Sequence, residues 1–165
     1  MAPLRKGTPT CLSEDAFILA PADAEIMKIL VACLVLVLLS ASVHSQSENV
    51  KARYDKFKNQ HIDKDMSPEK CDKVISEKGI KDAKTNCKNI NTFILATIDE
   101  VKPICGSAGE PYKDKGLTLS TKPFKIVVCK LQPQGDCKYN GQSLTKRIVI
   151  ACEKDFPVHY DHDID

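Results

Sequence analysis

The feature that most constrains this chain is a set of six cysteines that all lie in residues 46–165. An even number of cysteines in a small secreted domain is typical of a disulfide framework. The spacings lack the paired Cys-x-x-Cys motif of a zinc site. We therefore predict three disulfides, and the spacing alone does not decide which cysteines pair. The six are Cys71, Cys87, Cys105, Cys129, Cys137 and Cys152.

A short apolar segment upstream of these cysteines indicates the oxidising compartment that disulfides need. Residues 29–39 read ILVACLVLVLL and follow Lys28. A membrane-spanning helix needs about 20 apolar residues. A basic residue, a shorter apolar core and then small residues such as Val43 and Ser45 are the parts of a secretory signal peptide. A buried strand or a signal anchor is the alternative interpretation.

The leader divides the chain into three parts. We predict a signal peptide at 27–45 with cleavage after Ser45, because Met27 resembles a natural start. Residues 1–26 are then an upstream extension, and residues 46–165 form a single domain. The mature protein is expected to be secreted and to keep no membrane span.

Composition narrows the class further. The chain has 24 Lys and Arg against 22 Asp and Glu, so its formal net charge is only +2. Bulk charge therefore gives no argument for nucleic-acid binding, and any such claim depends on where the charges lie. With 42% hydrophobic residues, the chain is neither a disordered tail nor a collagen.

Three helices are predicted in the first half of the mature chain. Phe57 and His61 continue a helical repeat of apolar positions, which places His61 on the inner face of the first helix. Ser67 followed by proline begins a second helix, which Gly79 ends. A capping box over residues 97–100 begins a third, short helix that ends near Cys105.

Strands dominate the second half. Residues 91–96 are rich in β-forming types, and Asn140-Gly141 is a typical hairpin turn. Helices early and antiparallel strands late give an α+β fold. The later strands are predicted at 116–121, 124–131, 136–139, 146–153 and 157–160.

Histidines are the first candidates for chemistry. His61 lies inside the first helix, and an alternating strand places His159 and Asp161 on one side, where the carboxylate could orient the imidazole. An isolated inward histidine is more often a structural group than a catalyst. A metal site built from residues 159–163 is a further alternative, but a continuous strand points its two histidines to opposite faces.

A third segment favours catalysis. Residues 87–93 read CKNINTF, Gln60-His61 lies upstream, and residues 157–161 read PVHYD. Together with the cysteine order, these motifs resemble the vertebrate pancreatic-type ribonuclease family over about residues 54–161. The absence of a fourth disulfide is similar to the angiogenins and the fish ribonucleases.

The resemblance implies a fold and a cysteine pairing. The fold is α+β, with three short helices and a long, bent antiparallel sheet. The implied disulfides are Cys71–Cys129, Cys87–Cys137 and Cys105–Cys152.

The resemblance also implies a mechanism. RNA carries its own nucleophile, the 2′-hydroxyl, so two histidines are sufficient as base and acid near neutral pH. His61 would be the base, His159 the acid, and Lys88 would offset the charge that accumulates on the phosphate. No metal or other cofactor is needed. The product is a 2′,3′-cyclic phosphate.

Further residues match positions that bind substrate in this family. Thr92 would read a pyrimidine base, because its hydroxyl can donate or accept a hydrogen bond. The others have separate expected roles: Gln60 and Lys56 at phosphates, Glu153 at the base on the leaving side, Asp161 on the acid imidazole, and Asn91, Phe93 and Tyr160 as packing and positioning residues.

The biological role is less constrained. The expected partner is single-stranded RNA that contains pyrimidines, and the protein is expected to be a monomer. The alternative function is that of a secreted signalling or host-defence protein with a residual nuclease site. The partner of such a protein would be a cell-surface receptor, contacted through the loop at 106–115, or a microbial membrane. The family also predicts that the tail from His162 onwards attenuates turnover.

Overall fold

The computed structural model describes residues 21–113, 116–133 and 136–165. The upstream extension lies largely outside these residues. Nothing is described for the side chains of 41–47, which include the predicted cleavage site. The chain divides into two units, Met1–Val43 and His44–Asp165.

The segment predicted as a signal peptide lies in a helix, α1, which runs over Pro21–His61. Within the first unit, the large apolar side chains of residues 26–39 are exposed; Leu36, for example, is 65% exposed. Among the helices that the structure describes, none combines the length and apolar character that a membrane crossing requires. The first helix is longer than the sequence predicted, because residues 40–49 contain no Gly or Pro that would interrupt it.

The helices of the second unit follow their sequence signals. A 3₁₀ turn at Pro68–Lys70 leads into α2, Cys71–Glu77, and Gly79 follows in the left-handed region at a φ of 60°. The third helix, α3, covers Ile98–Val101 and continues as a 3₁₀ turn to Cys105. Its capping box is confirmed, because the Glu100 carboxylate accepts bonds from the Thr97 N–H at 2.7 Å and hydroxyl at 2.9 Å.

An antiparallel sheet completes the second unit. In the described residues the strands run in the order β1-β4-β5-β3-β2, and β6 pairs with β5. They are β1 Ile90–Ile94, β2 Gly109–Tyr112, β3 Leu117–Ser120, β4 Phe124–Leu131, β5 Tyr139–Glu153 and β6 Phe156–Ile164.

Two predictions about this sheet are wrong. The predicted turn at Asn140-Gly141 lies inside β5, and the predicted strand at 136–139 is mostly a turn, with positive φ at Asp136 and Cys137. Gly141 pairs with β4, and a Cβ there would lie 2.3 Å from the backbone oxygen of Pro68. The glycine therefore permits a close backbone approach and does not form a turn. The sequence also did not predict β2.

The core lies on two sides of the sheet. One cluster surrounds Phe57, Ile94 and Ile148, and the other surrounds Phe93 and Tyr139. Disulfides join the cysteines as the resemblance implied, and the α+β class is confirmed. The pairs are Cys71–Cys129, Cys87–Cys137 and Cys105–Cys152.

We expect the Cys105–Cys152 disulfide, which joins the turn after α3 to β5, to contribute about 2–5 kcal/mol to the free energy of unfolding. The double variant Cys105→Ala/Cys152→Ala should lower the urea midpoint by a matching amount. As a comparison, the unaltered protein in a reducing buffer should lose more stability than the double variant, because all three disulfides are then broken. An unchanged midpoint in the double variant would contradict this contribution.

Candidate functional site

The histidines of the sequence motifs lie in one cleft. The end of α1, the start of β1, the middle of β6 and the loop at 81–83 line a cavity of about 650 Å³. The predicted residues that line it are His61, Lys88, His159, Lys56, Gln60, Thr92, Tyr160 and Asp161. The fold therefore brings together side chains that are up to about a hundred residues apart in sequence.

His61 is held rigidly at the base of this cleft. It is 6% exposed, and its ring packs against Tyr160 at 5.1 Å and against Phe57 at 5.4 Å between centroids. Its Nδ1–H donates to the Thr92 carbonyl at 2.8 Å. This bond selects the tautomer in which Nε2 carries a free lone pair, so His61 has the form of a general base.

The surroundings of His61 keep it neutral. Burial is the main cause that lowers its pKa, to about 3, and the charges of Lys88 and His159 lower it further, while the bond to Thr92 acts in the opposite direction. The imidazole is therefore unprotonated over the whole neutral range. Its Nε2 lone pair is therefore unoccupied by a proton at physiological pH.

Lys88 is fixed by two amide oxygens. Its ammonium donates to Asn91 Oδ1 at 2.9 Å and to Gln60 Oε1 at 3.3 Å. Burial, together with the nearby charge of Lys56, lowers the pKa of Lys88. Neither amide neutralises the ammonium, so its positive charge is available to any anion that binds in the cleft.

Asn91 joins the helix to the strand behind the site. It is 1% exposed, and its Nδ2 donates to the carbonyl of Gln60 at 2.8 Å. Its Oδ1 accepts the Lys88 bond, so this one side chain connects α1 to the lysine. Asn91 therefore holds the Lys88 ammonium in place relative to α1.

His159 and its carboxylate have a different geometry from the one that the sequence suggested. His159 is exposed, and its Nε2 lies 3.9 Å from Asp161 Oδ1. Asp161 is closer to His162, whose Nδ1 lies 2.6 Å from Oδ2. On its other side, His162 Nε2 lies 3.4 Å from the Tyr112 hydroxyl. The carboxylate thus contacts both histidines and holds His162 more tightly.

Three predicted substrate residues do not line the cleft: Asn91, which lies behind it, Glu153 and Phe93. Glu153 forms an ion pair with Arg53, so a base on the leaving side would meet a carboxylate that is already paired. Phe93 is completely buried in the core cluster with Tyr139. It contributes packing of β1 and cannot touch RNA in this arrangement.

The structure adds cleft residues that the sequence did not single out for the site. Arg53 and Lys81 line the cavity, so four basic side chains and the carboxylates of Asp82 and Asp161 surround it. Arg53 lies two helical turns before His61, a spacing that could have revealed it. No sequence pattern indicated Lys81, because it depends on how the loop folds back. The cleft is net positive and suits a polyanion.

The chain is similar to known proteins over most of its second unit. A family model described as pancreatic ribonuclease matches residues 52–161. A ribonuclease from Chelonia mydas is 36% identical over 122 residues, which cover 69% of this chain and 100% of that protein. An angiogenin from Mus musculus is 34% identical over 116 residues, which cover 67% of this chain and 77% of that protein.

A solved structure agrees with these relatives. The X-ray structure of zebrafish RNase5 has a TM-score of 0.65 to this chain at 45% sequence identity. The match covers 69% of this chain and 96% of the zebrafish protein.

The buried His61 should make stability depend on pH. Its folded pKa of about 3 lies below the value of about 6.5 expected in the unfolded chain, so between these values only the unfolded state binds the proton. Its contribution is complete above pH 6.5 and falls with decreasing pH. Between pH 7 and pH 5, we expect a loss of about 2 kcal/mol in the free energy of unfolding from this residue.

Urea unfolding at pH 7 and pH 5 measures how much the free energy of unfolding changes between these two pH values. The variant His61→Gln should lose less stability over that interval than the unaltered protein. The matched control His159→Gln removes an exposed ring and should keep the full loss. Equal pH dependence in all three proteins would refute the assignment to His61.

Proposed function

The chain belongs to the pancreatic ribonuclease family and is an endoribonuclease, and we propose that it cleaves RNA 3′ of pyrimidines by acid–base transphosphorylation without a metal. The observation that carries this proposal is the bond between His61 Nδ1 and the Thr92 carbonyl at 2.8 Å. It leaves a neutral Nε2 in the cleft that also contains Lys88 and His159.

His61, Lys88 and His159 each have a separate role in the proposed reaction. Nε2 of His61 accepts the proton of the 2′-hydroxyl, whose oxygen attacks phosphorus and forms the P–O2′ bond. Lys88 offsets the negative charge that grows on the phosphate oxygens. Protonated His159 gives its proton to the 5′-oxygen as the P–O5′ bond breaks. The products are a 2′,3′-cyclic phosphate and a free 5′-hydroxyl.

Other cleft residues position the RNA. Lys56 and Lys81 would contact phosphates beside the scissile one, which adds affinity that falls with salt but gives little sequence information. Gln60 would hydrogen-bond the reacting phosphate. Thr92 would read the pyrimidine with its hydroxyl, which can donate or accept a bond.

We also propose that the protein is secreted after cleavage at Ser45. The exposed apolar side chains of residues 26–39 and the three disulfides support this proposal. A cell-surface receptor or microbial membrane as a further partner, and a monomeric state, stay predictions. The shared cleft of His61, Lys88 and His159 favours catalysis over the alternative of a signalling protein with a residual site.

The full chain should be expressed in a secretory host, and the protein from the medium, with an expected N-terminus at Gln46, assayed on UpA and CpA. We expect His61→Ala and His159→Ala each to lower kcat/KM by about 10²–10⁴. Lys88→Gln should act in the same direction, whereas the matched control Lys84→Gln, outside the cleft lining, should not.

The pH profile of kcat/KM gives an independent readout. It should be bell-shaped, because one histidine must be neutral while the other is protonated. Its acidic limb should lie below pH 6.5, since burial lowers the pKa of His61. EDTA should have no effect. A metal requirement, or activity that survives both histidine variants, would exclude this mechanism.

We further propose that the tail attenuates turnover. His162 holds the Asp161 carboxylate at 2.6 Å, whereas His159 lies 3.9 Å from it. A carboxylate that is held in this way orients the catalytic acid less well. The carboxylates of Asp163 and Asp165 also repel a polyanion.

The variant His162→Ala should therefore raise kcat/KM several-fold on both dinucleotides by releasing Asp161 towards His159. A chain that ends at Asp161 should show a similar or larger rise, because it also lacks the last two carboxylates. If both variants have unchanged or lower kcat/KM, the tail has no part in limiting the rate.

A further inference from the structure

His162, near the end of β6, connects the cleft to strand β2. Its Nδ1 lies 2.6 Å from Oδ2 of Asp161, which lines the cleft, and its Nε2 lies 3.4 Å from the hydroxyl of Tyr112 in β2. The rings of Tyr112 and His162 also meet edge to face, with 5.4 Å between their centroids. Both nitrogens of this imidazole therefore have a partner, and the two partners lie on different strands.

The two contacts require the same form of the neutral ring. An ionised carboxylate only accepts hydrogen bonds, so the His162 proton lies on Nδ1 and is donated to Asp161. Nε2 then carries a lone pair, and the Tyr112 hydroxyl donates to it. In the other neutral tautomer, the Nδ1 lone pair would face the carboxylate, and the bond to Asp161 would be lost. The Tyr112 hydroxyl thus stabilises the tautomer that holds Asp161.

The sheet holds Tyr112 in position. It pairs with Leu117 across the β2–β3 ladder, and the Lys113 ammonium lies 4.7 Å from the centre of its ring. Two residues earlier in β2, the Glu110 carboxylate accepts a bond from Arg147 of β5 at 3.1 Å. The hydroxyl is therefore presented to His162 by a strand that is anchored to both β3 and β5.

Other charged side chains near His162 do not replace these partners. Lys130 of β4 and Asp163 line a cavity of about 300 Å³ together with His162. Within the described residues, however, the ring nitrogens of His162 are hydrogen-bonded to Asp161 and Tyr112 alone. Asp163 accepts instead from the Tyr160 hydroxyl at 3.1 Å.

Asp161 transmits this arrangement to the exposed histidine of the cleft. Its Oδ1 lies 3.9 Å from His159 Nε2, which is beyond hydrogen-bonding distance, while its Oδ2 is held by His162. The carboxylate can approach His159 only if the contact with His162 loosens.

We propose that Tyr112 is a positioning residue that restrains turnover, because its hydroxyl holds the His162 ring on Asp161 and so keeps this carboxylate from orienting His159. The inference rests on the proposed function, in which His159 is the catalytic acid. It extends control of the site to β2, none of whose residues is among those that line the cleft.

The test is the cleavage of UpA by the protein secreted from the full chain. Tyr112→Phe keeps the ring but removes the hydroxyl. It should raise kcat about two- to fivefold with KM unchanged, because one lost hydrogen bond frees Asp161 for the step in which His159 gives up its proton. The matched control Tyr54→Phe removes a hydroxyl from a tyrosine that packs on Phe156, outside the cleft lining, and should leave both constants unchanged.

A double-mutant cycle examines whether Tyr112 acts through His162. In the His162→Ala background, Tyr112→Phe should change kcat no further, because the imidazole that joins the hydroxyl to Asp161 is then missing. An equal rise in both backgrounds would overturn the inference.

NMR of the histidine ring nitrogens gives a readout that does not depend on activity. At a pH where the ring is neutral, His162 should carry its proton on Nδ1, and Tyr112→Phe should increase the population with the proton on Nε2. The His162→Ala variant identifies the signal by its loss. A proton on Nε2 in the unaltered protein would contradict the proposed arrangement.

The outcomes distinguish this inference from the function beneath it. Failure of the unaltered protein to cleave UpA would overturn the proposed nuclease. Cleavage with an unchanged or lower kcat in Tyr112→Phe, or with a lower KM in place of a higher kcat, would overturn only the role of Tyr112.

Discussion

The site depends on the hydrogen bonds that join the end of α1 to strand β1. Within a few residues, His61 donates to the Thr92 carbonyl, Asn91 donates to the Gln60 carbonyl, and the Asp63 N–H donates to the Ile94 carbonyl at 3.2 Å. Buried backbone carbonyls need such partners. The bonds that satisfy the backbone are therefore the same bonds that orient the His61 imidazole, the proposed catalytic base.

The charge states of His61 and Lys88 in the cleft follow from these contacts between α1 and β1. Because His61 is buried, it stays neutral, and because Lys88 is held by amide oxygens, its charge is not cancelled. An ion pair with a carboxylate would hold the lysine equally well but would weaken its field at a phosphate. Neutral partners fix the ammonium in place while they preserve its charge for the substrate.

Local signals predicted the elements well where no distant strand competed with them. The Thr97–Glu100 capping box and the stop at Gly79 involve neighbouring residues only, and both were found. The Asn140-Gly141 signal failed because pairing of β5 with β4 and the close approach of Pro68 require an extended glycine there. A two-residue pattern carries no information about these distant contacts.

By itself, the sequence determined the inward face of α1, the three cross-links through their family resemblance, and the residue types of the cleft. Only the tertiary structure decided which groups touch. It placed Arg53 on Glu153, brought Lys81 into the cleft and turned Asp161 towards His162. The physical reason is that period and propensity depend on neighbours along the chain, whereas hydrogen bonds and ion pairs depend on distances of a few ångströms between segments up to about a hundred residues apart.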